Sequence, residues 1–279
     1  MTNKPFETVT IETVQAYWDR RPCNIRHSPA PVGTREYFDQ VEQRKYFVEP
    51  HIPGFAEFPK WQSKQVLEIG CGIGTDTINF ARAGAIVTAM DLSGESLKVA
   101  QVRATVFGLQ DRITFYQGDS EQLSQFVPVK PYDLVYSFGV IHHTPHPGRV
   151  VMEMKKYLLP GSEVRIMLYS KVSYKLFWVM REEGVWDMSR MDELIAKNSE
   201  AQTGCPVTYT YTFDEIRHLL DGFEILDIHK AHLFTWDVDA YQRYEYQKDA
   251  TWANVSDERL VELEKELGWH TLVRAKLAC

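Results

Sequence analysis

The sequence is poor in the features that mark several large protein classes. It has four cysteines, Cys23, Cys71, Cys205 and Cys279, and no two stand at Cys-x-x-Cys spacing. That argues against a structural zinc site, and the scatter suits reduced thiols rather than a disulfide framework. No apolar run approaches the roughly 20 residues that span a bilayer, so no membrane partner is expected. Met1 to Thr10 lacks the apolar stretch and small-residue cleavage site of a secretion signal, and the expected location is the cytoplasm. Dense Lys/Arg blocks are missing too. With a formal net charge of -7, the chain lacks the basic face that nucleic acid requires, and no such partner is expected. Internal repeats and low-complexity segments are absent.

What remains is the composition of an ordinary globular protein, 44% hydrophobic and 25% charged over 279 residues. This length suits one large α/β domain with insertions, whose core needs no metal or disulfide staple. Residues 1–60 are rich in aromatics, proline and charge, and Thr34 to Val48 reads as a helix. From Gln65 the pattern alternates strand and helix. Strands are expected at Val66–Ile69, Ile86–Met90, Ile113–Tyr116, Asp133–Phe138, Val164–Tyr169, Phe223–Ile228 and Thr271–Lys276. Helices are expected at Thr75–Ala83, after Ser93, at Gly148–Leu158 before Pro160-Gly161, and after the capping box Thr212-Phe213-Asp214-Glu215. Such alternation implies parallel strands joined by crossovers, with both sheet faces covered. Two aromatic-rich stretches, 171–211 and 231–269, interrupt the pattern and are expected to be cap insertions.

The most informative stretch is Val66-Leu67-Glu68-Ile69-Gly70-Cys71-Gly72-Ile73-Gly74-Thr75-Asp76. It is a strand, a glycine-rich turn and a helix start. Glycine lets the backbone turn sharply and approach a ligand, and the helix start offers free N–H groups. The third glycine of a dinucleotide fingerprint is replaced by Thr75, and a phosphate-cradling loop would need a lysine that is absent. Glu68 would repel a pyrophosphate but suits an ammonium group. Three further elements follow in order. Asp91 ends the second strand, where a carboxylate takes both ribose hydroxyls. Asp119 and Ser120 follow the third strand. Ser137-Phe138 lead into Val140-Ile141-His142-His143-Thr144-Pro145.

Together, in order and spacing, these elements resemble the motifs of class I S-adenosylmethionine-dependent methyltransferases, over residues 62–170. The resemblance implies a Rossmann-like, doubly wound seven-stranded sheet of order 3-2-1-4-5-7-6 with strand 7 antiparallel. It implies a helical N-terminal lid (1–61) on a methyltransferase domain (62–279). It also implies S-adenosylmethionine as donor and S-adenosylhomocysteine as product. Glu68, Gly70, Gly72 and Gly74 would cradle the methionine part, with Cys71 and Asp76 in the same turn. Asp91 would hold the ribose. Leu92, Asp119 and Ser120 would frame the adenine, and Ser137 and Phe138 would line the methyl-bearing end.

The partner expected from the resemblance is a small-molecule methyl acceptor, since Ile-His-His-Thr-Pro resembles quinone- and sugar-modifying enzymes. The stretches Tyr17–Cys23 and Arg44–His51 resemble a bacterial subgroup. Tyr17, Trp18, Tyr46, His143, Trp178 and Tyr209 are the candidate acceptor-binding residues. His142 is the candidate base, by its place and its unperturbed pKa, with packing in the turn as its competing role. No metal site is expected, because the stiff His142–His146 segment has no carboxylate beside it. A nicotinamide-dependent oxidoreductase and a non-catalytic S-adenosylmethionine-binding module stay open as alternatives, and so does a homodimer.

Overall fold

The computed structural model describes residues 6–202 and 204–278. Residues 1–5 of the expected lid, Thr203 of the first cap insertion and Cys279 lie outside the described residues. Seven strands form one sheet: β1 (Gln65–Ile69), β2 (Ile86–Asp91), β3 (Ile113–Gln117), β4 (Tyr132–Phe138), β5 (Leu158–Tyr169), β6 (Phe223–Ala231) and β7 (His270–Leu277). Their order is 3-2-1-4-5-7-6. β1 to β5 run parallel, and β7 pairs antiparallel with β5 and β6. This is the Rossmann-like sheet, with strand 7 antiparallel, that the family resemblance implies.

Alternation along β1 divides the core in two. Val66 packs in one apolar layer with Ile78, Phe80, Tyr136 and the 52–61 segment. Leu67 and Ile69 pack in the other, with Val150, Val151, Met154 and Ile166. Helices α1 (Ile11–Arg20), α2 (Arg35–Val48) and α3 (His51–Ala56) precede the sheet. Within it lie α4 (Thr75–Arg82), α5 (Gly94–Phe107), α6 (Leu123–Phe126) and α7 (Pro147–Met154). After β5 come α8 (Tyr174–Glu183), α9 (Met191–Gln202), α10 (Phe213–Leu219), α11 (Val238–Gln242) and α12 (Asp257–Leu267). The capping box at Thr212 and Glu215 is formed in full. Among the described residues, no helix is long and apolar enough to cross a membrane.

One expected boundary is corrected. The helix expected over 148–158 ends at Met154, a 3-10 turn covers Lys155–Tyr157, and Leu158 already opens β5. Pro160-Gly161 is not a helix stop but part of an irregularity where the β4–β5 register jumps from Tyr132↔Leu158 to Leu134↔Glu163. Ser162 closes it: its hydroxyl donates to the Tyr132 carbonyl at 2.5 Å and accepts from Leu159 N at 3.1 Å. A bulge of this kind absorbs residues that neither helix nor ladder can seat.

The N-terminal helices are tied to the domain by polar anchors. Arg103 on α5 is fully buried, and donates to Thr75 Oγ1 at 2.6 Å and to the Phe38 carbonyl at 3.1 Å. On α1, Asp19 accepts from Ser93 Oγ at 2.8 Å and from Glu95 N at 3.3 Å, beside the start of α5.

Candidate active site

The glycine turn after β1 is shaped by two distinct needs. Gly70 has φ +77°, and a Cβ there would lie 2.2 Å from Val140 Cγ2, so a side chain has no room. Gly72 has φ +54°, and its Cβ would meet nothing within 4 Å, which leaves the backbone bare toward the cavity. The Gly72 N–H donates to Asp91 Oδ2 at 2.7 Å, and Ser93 N–H donates to Oδ1 at 2.8 Å. The end of β2 is thus held against the turn after β1. Burial pushes the Asp91 carboxyl up to about 6, although the two N–H donors pull it back. Asp119 also has a capping duty, accepting from Glu121 N at 2.8 Å.

These elements open on one cavity of about 830 Å³ at the C-terminal ends of the parallel strands. Open α/β sheets bind ligands at that edge. Gly70, Cys71, Gly72, Asp91, Leu92, Asp119, Ser120 and Phe138 line it. The structure thus brings together eight of the twelve residues expected around the donor. Of the residues expected around an acceptor, Trp18, His143 and Trp178 reach the wall. Trp18 stands edge-on to His143, with ring centroids 5.4 Å apart.

The other expected site residues lie behind the wall, each for a local reason. Glu68 follows Val66 onto the α4 side of β1 and is buried there, accepting from Thr77 Oγ1 at 2.5 Å. Burial and the nearby Asp76 carboxylate push its carboxyl up to about 8. Gly74 packs on α5, where an added Cβ would lie 3.0 Å from Ala100 Cβ. Asp76 is the centre of a buried knot: it accepts from Lys45 Nζ at 2.7 Å, Tyr46 OH at 2.9 Å and Tyr136 OH at 3.0 Å. Tyr46 is therefore spent on Asp76. Ser137 points away from the Tyr136–Phe138 face and is fully buried. Tyr209 packs edge-on against Phe6, and its hydroxyl reaches the Pro145 carbonyl at 3.3 Å. Tyr17 stands beside Trp18 but outside the wall.

His142, the candidate base, does not line the cavity. Its neighbour His143 lines the cavity, but His142 is fully buried with its ring 3.8 Å from that of Tyr169. Neither of its ring nitrogens has a hydrogen-bond partner among the described residues. Burial holds its pKa well below the ordinary value. Both residues lie on a 3-10 turn, where consecutive side chains point about 120° apart, so only one can face the cavity.

The wall also gains residues that no motif indicated. Lys45 and Glu49 come from α2 and its end, Tyr169 ends β5, and Trp236 comes from the second insertion. His232 and His270 join them and stack, with ring centroids 4.5 Å apart. His270 Nδ1 lies 3.1 Å from His51 Nε2 and 3.6 Å from Glu49 Oε1. His232 adopts a left-handed backbone with φ +67°, unusual for a residue with a side chain. Burial, first, and mutual repulsion lower the pKa of His51 to about 3 and that of His270 well below its ordinary value. Burial lowers His232 to about 4. The segment Arg44–His51 stood out in the sequence, but as a source of Tyr46 rather than of Lys45, Glu49 and His51.

Comparison with known proteins adds a class to this geometry. A family model described as a methyltransferase domain matches residues 66–161, which hold the glycine turn, Asp91 and the histidine turn. That segment therefore matches a methyltransferase-domain model over about a third of the chain and carries the Rossmann-like fold. The chain is similar to the ubiquinone biosynthesis O-methyltransferase of Paracidovorax citrulli, 37% identical over 103 residues, which are 37% of this chain and 42% of that one. It is similar to the same enzyme of Klebsiella pneumoniae, at 35% over 101 residues, 36% of this chain and 40% of that one. The chain thus spans about two fifths of the length of the curated relatives it matches. Among solved structures, magnesium protoporphyrin IX methyltransferase from Synechocystis PCC 6803 with bound SAH has a TM-score of 0.61. It is 15% identical, over 96% of this chain and 100% of that one. A [4+2]-cyclase has a TM-score of 0.59 at 17% identity, with 97% of both chains covered. At these identities the likeness shows the fold alone.

Proposed function

We propose that the protein transfers a methyl group from S-adenosylmethionine to a small-molecule acceptor. The observation that carries this reading is the convergence of the glycine turn, Asp91, Asp119-Ser120 and Phe138 on one cavity. Bare backbone at Gly72 suits the amino-acid end of the donor, and Asp91 retains lone pairs for ribose hydroxyls beyond its two N–H partners. Leu92, Asp119 and Ser120 frame the adenine. The donor's sulfonium is already reactive, so the chain's part is to align the acceptor and exclude water. A nicotinamide cofactor fits less well, because Thr75 stands where the dinucleotide fingerprint has its third glycine.

The acceptor chamber lies beyond Phe138, among Tyr169, Trp178, Trp236 and the histidines. A cavity of about 830 Å³ falls within the range of roughly 300–1,000 Å³ that holds drug-sized ligands. With the donor in place it admits a compact acceptor and no folded macromolecule. The aromatic wall suits a planar, largely apolar molecule. The proton of a hydroxyl acceptor is taken at the cavity histidines, because His142 does not reach the chamber. Incubation with methyl-labelled donor and fractionated small-molecule extracts tests the reading. Label is expected in a low-mass product that depends on the protein. Tight binding of S-adenosylhomocysteine with no labelled product from any extract would favour the non-catalytic binding module.

Residues 1–61 act as a lid on the domain 62–279, and 171–211 and 231–269 as its cap. The support is that Trp18 and Arg21, Tyr174 and Trp178, and Phe234 and Trp236 bring all three segments to the same wall. Arg44 also ties the lid to the second cap, with its guanidinium 4.5 Å from the Tyr241 ring centroid and 4.1 Å from that of Tyr244. Bound S-adenosylhomocysteine should slow limited proteolysis in all three segments. Equal cleavage with and without it would show that they are fixed walls rather than a lid.

A further inference from the structure

We propose that Glu49, His51 and His270 bind one divalent transition-metal ion of the zinc class at the wall of the cavity. Two imidazoles and a carboxylate form a donor set suited to such ions. Their ligand atoms all lie within 4.8 Å of one another, and among the described residues no other trio of His, Cys, Asp or Glu does this.

The spacings suit a shared ion better than a hydrogen-bonded chain. His270 Nδ1 faces His51 Nε2 at 3.1 Å and Glu49 Oε1 at 3.6 Å. One proton on Nδ1 can serve His51 but not a carboxylate at 3.6 Å, which is beyond hydrogen-bond reach. With the proton on His51 instead, the Nδ1 lone pair faces the carboxylate. An ion bonded at about 2.0–2.1 Å holds two nitrogens roughly 2.9–3.4 Å apart, for angles from 90° to tetrahedral. All three donors then turn inward on one point. Ligand imidazoles bind in their neutral form, so uptake of the ion should weaken as the pH falls. Lys45 is the cation nearby: it pairs with Asp76 at 2.7 Å and also feels the charge of Glu49. A third histidine, His232, stacks on His270 and its ring bonds the Val48 backbone, which steadies the ligand ring.

Glu49 and His270 line the cavity while His51 stands behind them, so the ion's open positions face the chamber. Phe138, which marks the methyl-bearing end, has its ring centroid 5.7 Å from that of His270 and 6.0 Å from that of His51. A hydroxyl or thiol bound to the ion would give its proton to solvent more readily. This use of the ion rests on the methyltransferase reading; the binding site itself does not.

The test is metal binding by the full chain, stripped with a chelator and titrated with zinc chloride in a calorimeter. Atomic spectrometry counts retained metal, and cobalt(II) in place of zinc reports ligand geometry by its visible bands. One ion per chain is expected. His51→Ala and Glu49→Gln should weaken it by at least about 10²-fold. Both variants should still bind S-adenosylhomocysteine, which separates a lost ligand from a lost fold. Retained S-adenosylhomocysteine binding with no zinc taken up by the wild type would overturn the proposal, leaving the trio as a hydrogen-bonded base. So would equal zinc affinity in wild type and both variants. Zinc binding without S-adenosylhomocysteine binding would support the site and sink the methyltransferase reading instead.

Discussion

Replacing Asp91 with alanine should weaken S-adenosylmethionine binding by about 2–5 kcal/mol, because a charged two-oxygen contact is removed from a deep site. That is roughly a 30-fold to several-thousand-fold rise in dissociation constant. The fold should survive: water at the cavity wall can replace the carboxylate at the Gly72 N–H, and the buried Ser93 N–H left unpaired costs about 1–3 kcal/mol, less than the stability of a typical domain. The same carboxylate predicts a pH dependence. Free Asp91 is pushed up to about 6 by burial, so it is partly protonated in mild acid. Ribose hydroxyls donating to it favour the charged form. Affinity should therefore rise with pH through about 6 and level off above 7. The opposite sign applies to folding: a carboxyl raised by burial stabilises the fold below its unfolded value, and that contribution is lost as pH rises through 6. Calorimetry between pH 5.5 and 8 checks both the variant and the profile. Unchanged affinity in Asp91→Ala would remove this residue from the donor site.

Asp76→Ala should be the most destabilising of the substitutions considered. Asp76 neutralises the nearly buried Lys45 and accepts from two tyrosines on separate elements, Tyr46 on α2 and Tyr136 on β4. Burial alone would lower the Lys45 pKa, but the charge and hydrogen bond of Asp76 together with the charges of Glu49 and Glu68 outweigh it, and the net shift is upward. Removing the carboxylate leaves a buried ammonium without its partner, at a cost of about 3–5 kcal/mol. For a chain of this size the melting temperature should fall by roughly 6–20 °C. Asp76→Asn should fall between, because the amide can still accept from a tyrosine but does not neutralise Lys45. A loss below about 1 kcal/mol in urea unfolding would mean that water enters and solvates Lys45. A second readout follows from Glu68, whose carboxyl is held near 8 by burial and by Asp76. Its stabilising contribution is present below about 4.5 and lost as pH rises through 8. Without Asp76 the upper end of that window should move down.

The sheet was largely legible because its signals are local. Each of β1, β2 and β4 is a short apolar run ended by residues with one plausible duty, and the run of glycines at 70, 72 and 74 has few other uses. Asp91 was legible because it ends its strand. Glu68, Asp76 and Ser137 do not line the cavity, because a motif gives sequence position but not facing. Glu68 shares the face of Val66, and Ser137 lies opposite Tyr136 and Phe138, so strand alternation settles both once the sheet is in hand. The same holds for His142 and His143, separated by the geometry of a 3-10 turn. The Arg44–His51 stretch stood out, but nothing in the sequence joined Glu49 and His51 to His270. These residues come from the end of α2, the start of α3 and the start of β7, and no spacing rule spans the 219 positions between His51 and His270. Helix ends were legible where a cap marks them, as at Ser93 and Thr212. The end of α7 carries no side-chain marker, and Pro160-Gly161 drew the boundary past it.

The antiparallel insertion of β7 has a consequence for how the chain is made. β5 ends at Tyr169, and the strand that covers its flank begins at His270. Synthesis at roughly 5–20 residues per second leaves that flank uncovered for about 5–20 s while the intervening hundred residues emerge. During that interval the sheet ends in a long apolar strand with unpaired N–H and C=O groups, a template for pairing with another chain. β6 cannot shield it, because its place is on the far side of β7. The step that closes the sheet is the same one that brings His270 to the cavity, so a nascent chain stalled before β7 has neither a finished edge nor a finished wall.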